Sequence, residues 1–462
     1  MTNTCLFNGL STDHFKVRVM RTKKQENIQP IQAQITHLSH DGRGIATLNG
    51  KITFVQGALP GEIVTFQRSR SKKQWDEGEL LEILQPSPQR VTPACPHYHL
   101  CGGCSLQHLE PSQQILEKQT WLLELLQRIG QVSPEQILPP LPSDAWHYRS
   151  KARLSTRYVA KKQKTLIGFR ERNNPRFITE IGQCPILHVA VDKALPALSA
   201  LIDSLENRDT VAQIEVAAGD QDIALIIRHL TALSTDDTQR LIDFAQQSGF
   251  YIFLQPKGPD SIHLLYPHDT EPYLTYSLPT YDLHFYFHPS DFTQVNLDLN
   301  RSMVDKALHL LDIQETHTVL DLFCGLGNFS LPIARKAQQV IGIEGCEKMV
   351  ERAQMNATRN GLSNVHFLSA NLFETDLATH CRGYTIDRVL LDPPRSGAFE
   401  IVQQIDKIAP PVIVYISCNP ATLARDAGVL VNQKNYRLMA AGVMDMFPHT
   451  AHVESIAVFH AT

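Results

Sequence analysis

The residues of this chain that could do chemistry fall into three settings. In VIVYISCNPATLARD (412–426) an apolar run ends at Cys418, beside Ser417, Asn419 and Pro420, a loop composition rather than a core one. RVLLDPPRSG (388–397) ends the same way at Asp392, and HTAHVE (449–454) closes on Glu454. A thiol and two carboxyls at strand ends suit covalent catalysis, with the thiolate as nucleophile and an acid as proton acceptor.

The second setting is CPHYHLCGGCSLQH (95–108), where Cys95, Cys101 and Cys104 have the spacing C-x5-C-x2-C. Cys184, in IGQCPIL, is a fourth candidate ligand. Zinc takes paired C-x2–4-C hooks, and one such pair is present. Four thiolates, with prolines beside Cys95 and Cys184 and glycines between Cys101 and Cys104, favour a [4Fe–4S] cluster over zinc or no metal. His97, His99 and His108 are expected beside the ligands or on the surface, and Cys5, Cys324, Cys346 and Cys381 as ordinary thiols.

The third setting is VLDLFCGLGNFS (319–330), a strand that runs into Gly325 and Gly327. Glycines there let a ligand approach the backbone. Glu344 follows nineteen residues after Gly325, at the end of VIGIEG, placed to accept hydrogen bonds from ribose hydroxyls. The dinucleotide fingerprint needs a third glycine where Ser330 stands, so NAD fits poorly and S-adenosylmethionine fits better. A methyl-sulfonium donor, a thiolate and a base together suggest methylation of uracil C5. That carbon is too weak a nucleophile until a thiolate adds at C6.

These residues need a sheet to hold them. From about residue 291 apolar strands alternate with helices: NLDLNRSMVDKALHLLDI, LPIARKA and CEKMVERAQMNATRNG are helical, and the runs around VLDLF, VIGIE, VHFLS, RVLL and VIVYIS are strands. That alternation predicts a doubly wound, Rossmann-like α/β domain over 291–462. Residues 25–86 hold short strands punctuated by HDGRG, NGK and LPGE, the pattern of a small β-barrel. A central α+β domain, 87–290, would carry the cysteines and a helix through EPSQQILEKQTWLLELLQRIG with Ile115, Trp121, Leu122, Leu125, Leu126 and Ile129 on its apolar face. Residues 1–24 read as a basic tail ending in KVRVMRTKK.

The chain of 462 residues has a formal net charge of −4, so nucleic-acid contact must come from local patches. RSKARLSTRYVAKKQKTLIGFRERNNPR (149–176) has ten Lys or Arg and one acid, with Tyr158 and Phe169 interleaved. Arg149, Lys151, Arg153 and Arg157 are its candidate phosphate contacts, and RSRSKK (68–73) adds basic ground on the barrel. No secretory leader or apolar span of membrane length is visible, so a cytoplasmic monomer is expected.

DLFCGLGNFSLP, LDPPRSG, SCNPATLARD and HTAHVE together resemble the motifs of the RNA uracil-C5 methyltransferase family, and SDFTQVN (290–296) resembles its cofactor-holding segment. The resemblance implies Cys418 as nucleophile and Glu454 as general base. It implies Gln294, Phe323, Asn328, Glu344, Asn371 and Asp392 as residues that contact S-adenosylmethionine or line its pocket, with Asp392 also touching the uracil. Longer members carry a [4Fe–4S] cluster on the spacing of Cys95, Cys101, Cys104 and Cys184. The small barrel, through DGRGIA and FVQGALPGE, resembles the TRAM domain, an RNA-binding module of oligonucleotide-binding (OB-like) type. Barrel, cluster and methyltransferase in one chain resemble the members that modify 23S rRNA. Two rival enzymes are weaker: amine methylation prefers an aromatic residue where Arg395 follows the prolines, and the transfer-RNA members lack the barrel and the cysteine triplet. A non-catalytic iron–sulfur RNA-binding factor would need neither Cys418 nor Glu454.

Overall fold

The computed structural model describes residues 30–462, so the basic tail, KVRVMRTKK, Cys5 and the first residues of the barrel segment lie outside the described residues. Two compact units are formed, one of residues up to Thr92 with His108–Glu110, the other of the remainder.

In the first unit one six-stranded sheet runs in the order Ile31–Gln34, Ile63–Ser71, Trp75–Gln85, Lys51–Gln56, Gly44–Leu48, His37–Leu38. Alternation places Ile35, Ala46, Val55, Ala58, Val64 and Phe66 in a single core. Its closing segment is pinned by Arg90. This side chain forks onto the fully buried Glu62 (Nε–Oε1 2.5 Å, Nη2–Oε2 2.9 Å) and donates to the Gly57 carbonyl at 2.7 Å. A buried carboxylate needs such a partner.

The second unit is built on two large sheets. The first has the order His263–Tyr266, Tyr251–Gln255, Ile223–His229, Val211–Ala218, Lys151–Val159, Lys164–Gly168. Its apolar face is covered by helices Val189–Ser204 and Thr235–Ser248, through Leu195, Leu198, Ile202, Leu241 and Phe244. The Ser234 hydroxyl caps the second helix by accepting the Asp237 N–H at 3.1 Å, as the sequence STDD foreshadows.

The second sheet has the order Val365–Ser369, Gln339–Glu344, Thr318–Leu322, Arg388–Leu391, Val412–Ser417, Glu454–Ala461, Tyr436–Met444, Gln136–Ile137. The first five strands are parallel, and Glu454–Ala461 enters antiparallel between Val412–Ser417 and Tyr436–Met444. The carboxyl ends of the parallel strands and the amino end of Glu454–Ala461 therefore open on the same edge, where α/β sheets bind ligands.

Three elements depart from the sequence expectation. The helix Pro111–Leu125 and the strand Gln136–Ile137 pack against the second sheet, not the first. Pro111–Leu125 ends in a π-helical turn, Leu126–Gly130, which rotates Ile129 out to 47 % exposure while Trp121 and Leu122 stay buried. The hairpin Leu274–Leu278/Leu283–Phe287 joins the core of the second sheet through Tyr276, Phe285 and Phe287. Among the described residues no helix is long and apolar enough to cross a membrane.

Candidate active site and cysteine cavity

A cavity of ≈ 660 Å3 opens at the carboxyl edge of the second sheet. Gln294, Phe323, Asn328, Glu344, Asn371, Asp392, Cys418 and Glu454 all line it, drawn together from 161 residues of chain (294 to 454) by the strand ends.

The glycine turn is shaped by backbone sign. Phe323, Gly325 and Gly327 have φ of 66°, 55° and 93°, and Glu344 fastens the turn by accepting the Gly325 N–H at 3.1 Å and the Cys346 N–H at 3.0 Å. The carboxylate is thus oriented from below, with lone pairs left for a ligand. Asn328 lines the cavity and is tied to its wall. Its Oδ1 accepts from Tyr276 and Asn300 at 2.9 Å each, and its Nδ2 donates to Asn300 at 2.9 Å, so this side chain braces the pocket wall. Asn371 accepts the Phe373 N–H at 3.1 Å, and the Phe373 ring stands 5.8 Å from that of Phe323. Below the turn, Asp321 is fully buried beside Ser330, and burial pushes its carboxyl up to about 7.

Cys418 follows the strand Val412–Ser417, and Glu454 begins the strand that pairs with it. Burial pushes the Cys418 thiol up to about 11, with Glu454 and Asp392 adding and Arg395 opposing. Burial also holds Glu454 well above the usual carboxylate range and raises Asp392 to about 7. Three acids thus share a low-dielectric site in which Arg395 is the facing cation. Such a site favours neutral forms until a further positive charge arrives. Arg395 is held by its own backbone: its carbonyl accepts from Asn419 Nδ2 at 2.8 Å, and Asn419 also caps the helix Pro420–Gln433.

Sequence reasoning missed the residues that hold the Glu454 loop. Lys118, fully buried on Pro111–Leu125, donates to Asp445 Oδ1 at 2.7 Å and to the Phe447 carbonyl at 2.9 Å. Gln114 accepts the His449 N–H at 2.7 Å and donates to the Leu106 carbonyl at 3.1 Å. The His449 carbonyl accepts from the Ser105 and Leu106 N–H groups at 2.8 and 2.9 Å. The cysteine loop and the loop that leads to Glu454 are therefore one hydrogen-bonded assembly. A lysine and a glutamine on an amphipathic helix give no hint of this, because Asp445 and His449 lie more than 300 residues away.

Cys95, Cys101, Cys104 and Cys184 line a second, small cavity, with His97 and Gln107 at its edge. Burial pushes the Cys104 and Cys184 thiols up to about 12, and raises Cys95 and Cys101. Among the described residues no group of three or more His, Cys, Asp or Glu is arranged to hold a single metal ion.

The basic segment is less uniform than its sequence. Arg153 and Arg157 are exposed, and Arg153 pairs with Glu215 at 3.1 Å. Lys151 turns inward: its ammonium donates to the Asp291 carbonyl, and burial lowers it to about 8. Arg149 is half-buried and donates from Nε to the Lys151 carbonyl at 3.0 Å. Phe169 is half-buried at the cysteine cavity and Tyr158 is half-buried under Arg208, whereas Phe177, just beyond the segment, is 55 % exposed.

With the parallel sheet, the glycine turn and the cavity at the strand ends in place, the class is that of an S-adenosylmethionine-dependent methyltransferase. The sequence pattern of the tRNA (uracil-5-)-methyltransferase family matches residues 111–461, and that of the TRAM domain matches residues 24–81. The chain belongs to this family of uracil-C5 methyltransferases. It is 57% identical over 439 residues to the 23S rRNA (uracil(1939)-C(5))-methyltransferase RlmD of Legionella pneumophila (strain Lens), covering 95% of this chain and 99% of that one. It is 49% identical over 442 residues to the protein of the same name from Xanthomonas campestris pv. campestris (strain 8004), with 95% and 99% covered. The crystal structure of the Pyrococcus abyssi tRNA (uracil-54, C5)-methyltransferase in complex with S-adenosyl-L-homocysteine superposes with a TM-score of 0.72 at 26% identity, covering 93% of this chain and 99% of that one.

Proposed function

We propose that this enzyme transfers a methyl group from S-adenosylmethionine to C5 of a uridine in 23S rRNA, the one its relatives' names place at 1939. The observation that carries the reading is the single cavity shared by Cys418, Glu454, Asp392 and the glycine turn with Glu344. In this reading Glu344, Phe323, Asn371 and Gln294 hold the adenosyl ligand and Asn328 supports the wall. Asp392 lies between cofactor and uracil. The Cys418 thiolate adds to uracil C6, and the electron pair moved to C5 attacks the methyl carbon as the sulfonium C–S bond breaks. Glu454 then takes the C5 proton, the C6–S bond breaks, and the C5=C6 double bond re-forms. Burial in the resting pocket disfavours the charged forms of Cys418, Glu454 and Asp392, and the incoming sulfonium cation favours them, so cofactor binding promotes the nucleophile and the base.

Four thiols around one cavity support a [4Fe–4S] cluster on Cys95, Cys101, Cys104 and Cys184. The fit lies in the donor set: four sulfurs, from a tight C-x5-C-x2-C loop and one distant residue, line the same cavity. Bound there, an iron–sulfide core would supply the positive charge that lets buried thiols become thiolates. Methyl transfer consumes no electrons, so the reaction leaves this group a structural role.

The test is methylation in vitro with labelled S-adenosylmethionine, using 23S rRNA from cells lacking the gene and mapping the modified base. A 5-methyluridine at the expected position, abolished by a U-to-C change there, supports the reading. Modification of transfer RNA alone would replace it with the substrate class named for the Pyrococcus enzyme.

A further inference from the structure

The segment Phe169–Thr179 forms a narrow hairpin that the catalytic cavity does not use. Thr179 donates to the Phe169 carbonyl (2.9 Å) and Glu171 to the Phe177 carbonyl (3.1 Å), and the tip is a turn closed by Phe177 N–H on the Asn174 carbonyl (2.9 Å). Two arginines from outside the tip gather on it. Arg157 Nη1 donates to the Arg176 carbonyl and Arg170 Nη1 to the Pro175 carbonyl, each at 3.4 Å. With Arg176 itself, three arginines lie on or donate to the backbone of the turn that carries the exposed Phe177.

The hairpin is braced from below by the cysteine loop. Gly102 donates to the Arg170 carbonyl at 2.9 Å, and a Cβ at Gly102 would stand 2.9 Å from that oxygen, so the approach requires glycine. Arg172 points into the loop, where it donates to the Tyr98 and Cys104 carbonyls at 2.9 and 2.5 Å, with its guanidinium 4.8 Å from the centre of the Tyr98 ring. The tip is therefore a braced turn that carries one exposed apolar ring, with arginines hydrogen-bonded to the backbone beside it.

We infer that Phe177, with Arg157, Arg170 and Arg176, is a stacking platform for one unpaired nucleotide of the RNA substrate, separate from the nucleotide that is methylated. An exposed aromatic face flanked by guanidinium groups matches a splayed base with its phosphates and suits single-stranded RNA. The inference rests on the proposed RNA substrate for the identity of the strand. It also gives the cysteine loop a mechanical role, since that loop keeps the support rigid.

The experiment uses the full-length protein, with Phe177→Ala, Phe177→Tyr and the triple change Arg157→Gln/Arg170→Gln/Arg176→Gln. RNA affinity is measured at several salt concentrations on two probes, a 23S rRNA fragment with the target uridine and an oligouridine single strand. Phe177→Ala should weaken binding to both by roughly 5- to 100-fold with an unchanged salt slope, and Phe177→Tyr should stay within about twofold of the parent. The triple change should flatten the salt slope by about three. On the fragment, Phe177→Ala should raise KM for RNA while kcat and KM for S-adenosylmethionine hold. Parent-like affinity of Phe177→Ala on both probes would overturn the platform. A parent enzyme that fails to methylate the fragment would instead overturn the substrate reading, and the oligouridine comparison would still decide the platform.

Discussion

Ser455 pairs with Ser417 across two antiparallel strands, and the Ser455 hydroxyl donates to the Ser417 carbonyl at 3.0 Å. One residue beyond this pair on each strand stand Glu454 and Cys418. The separation of these two side chains is thereby set by the sheet register, and what remains adjustable is the loop that delivers Glu454 to its strand.

That loop leans on Lys118. Lys118→Met should leave Asp445 buried without its cation and cost about 3–5 kcal/mol in denaturant unfolding of this unit. Because the same ammonium holds the Phe447 carbonyl, kcat should fall as well. Adding Asp445→Leu removes the orphaned charge and should recover most of the stability while kcat stays low. If the double variant is as unstable as the single, the pair is not what carries the effect.

Asp321 gives a pH dependence with a defined sign. Its folded-state pKa of about 7 lies above the ordinary carboxyl value of 3.8, so the folded protein holds a proton that the unfolded chain releases. The stabilisation is full below about 4, and is lost as pH rises through about 7. A shift of about three units corresponds to at most about 4 kcal/mol. Calorimetry of the ligand-free protein should show a Tm that falls from pH 5 to pH 8. Asp321→Asn, which keeps an acceptor for Ser330, should give a flatter profile and a higher Tm than the parent at pH 8. Parallel profiles for the two proteins would contradict the burial of an acid there.

The cysteine cavity predicts colour. Protein purified without oxygen should be brown and carry about four irons per chain. Cys101→Ser should bleach it and, through Ser105, Leu106 and His449, also lower kcat on RNA. A colourless parent with stoichiometric zinc would reject the cluster.

The legible part of this molecule was the part where chemistry and periodicity coincide. Asp392, Cys418 and Glu344 each close an apolar strand, so the pattern placed them at one edge, while Glu454 reached that edge only through the family resemblance, because its strand runs antiparallel. The supports were not legible, for two physical reasons. Gln114 and Lys118 are polar residues in an amphipathic helix, where a solvated position is the default. Their burial follows from partners at Asp445 and His449 that no local pattern announces. Lys151 and Phe177 show the second reason: within a basic stretch, composition does not say which side chains face water, and Lys151 shares a strand face with the exposed Arg153 and Arg157 but is covered by the distant Asp291 segment. Gln136–Ile137 is too short to read as a strand at all.

The last prediction separates the two residues that the sheet register holds together. Cys418→Ala removes the sulfur that must add to C6, so neither methylation nor a covalent RNA adduct should form. Glu454→Gln keeps shape and thiol and deletes only the proton acceptor. Addition and methyl transfer can still occur, while loss of the C5 proton stalls. Removal of a general base slows a step by roughly 10²–10⁴-fold, enough to let the adduct accumulate. With Glu454→Gln, a protein–RNA species that survives denaturing electrophoresis should appear, its uracil already methylated and its linkage on the Cys418 peptide. Burial disfavours the charged form of Glu454, so an uncharged amide of the same shape disturbs the ligand-free pocket little. The variant should therefore bind RNA and cofactor like the parent and fail at elimination. Turnover by Cys418→Ala, or an adduct mapped to another cysteine, would reject the mechanism.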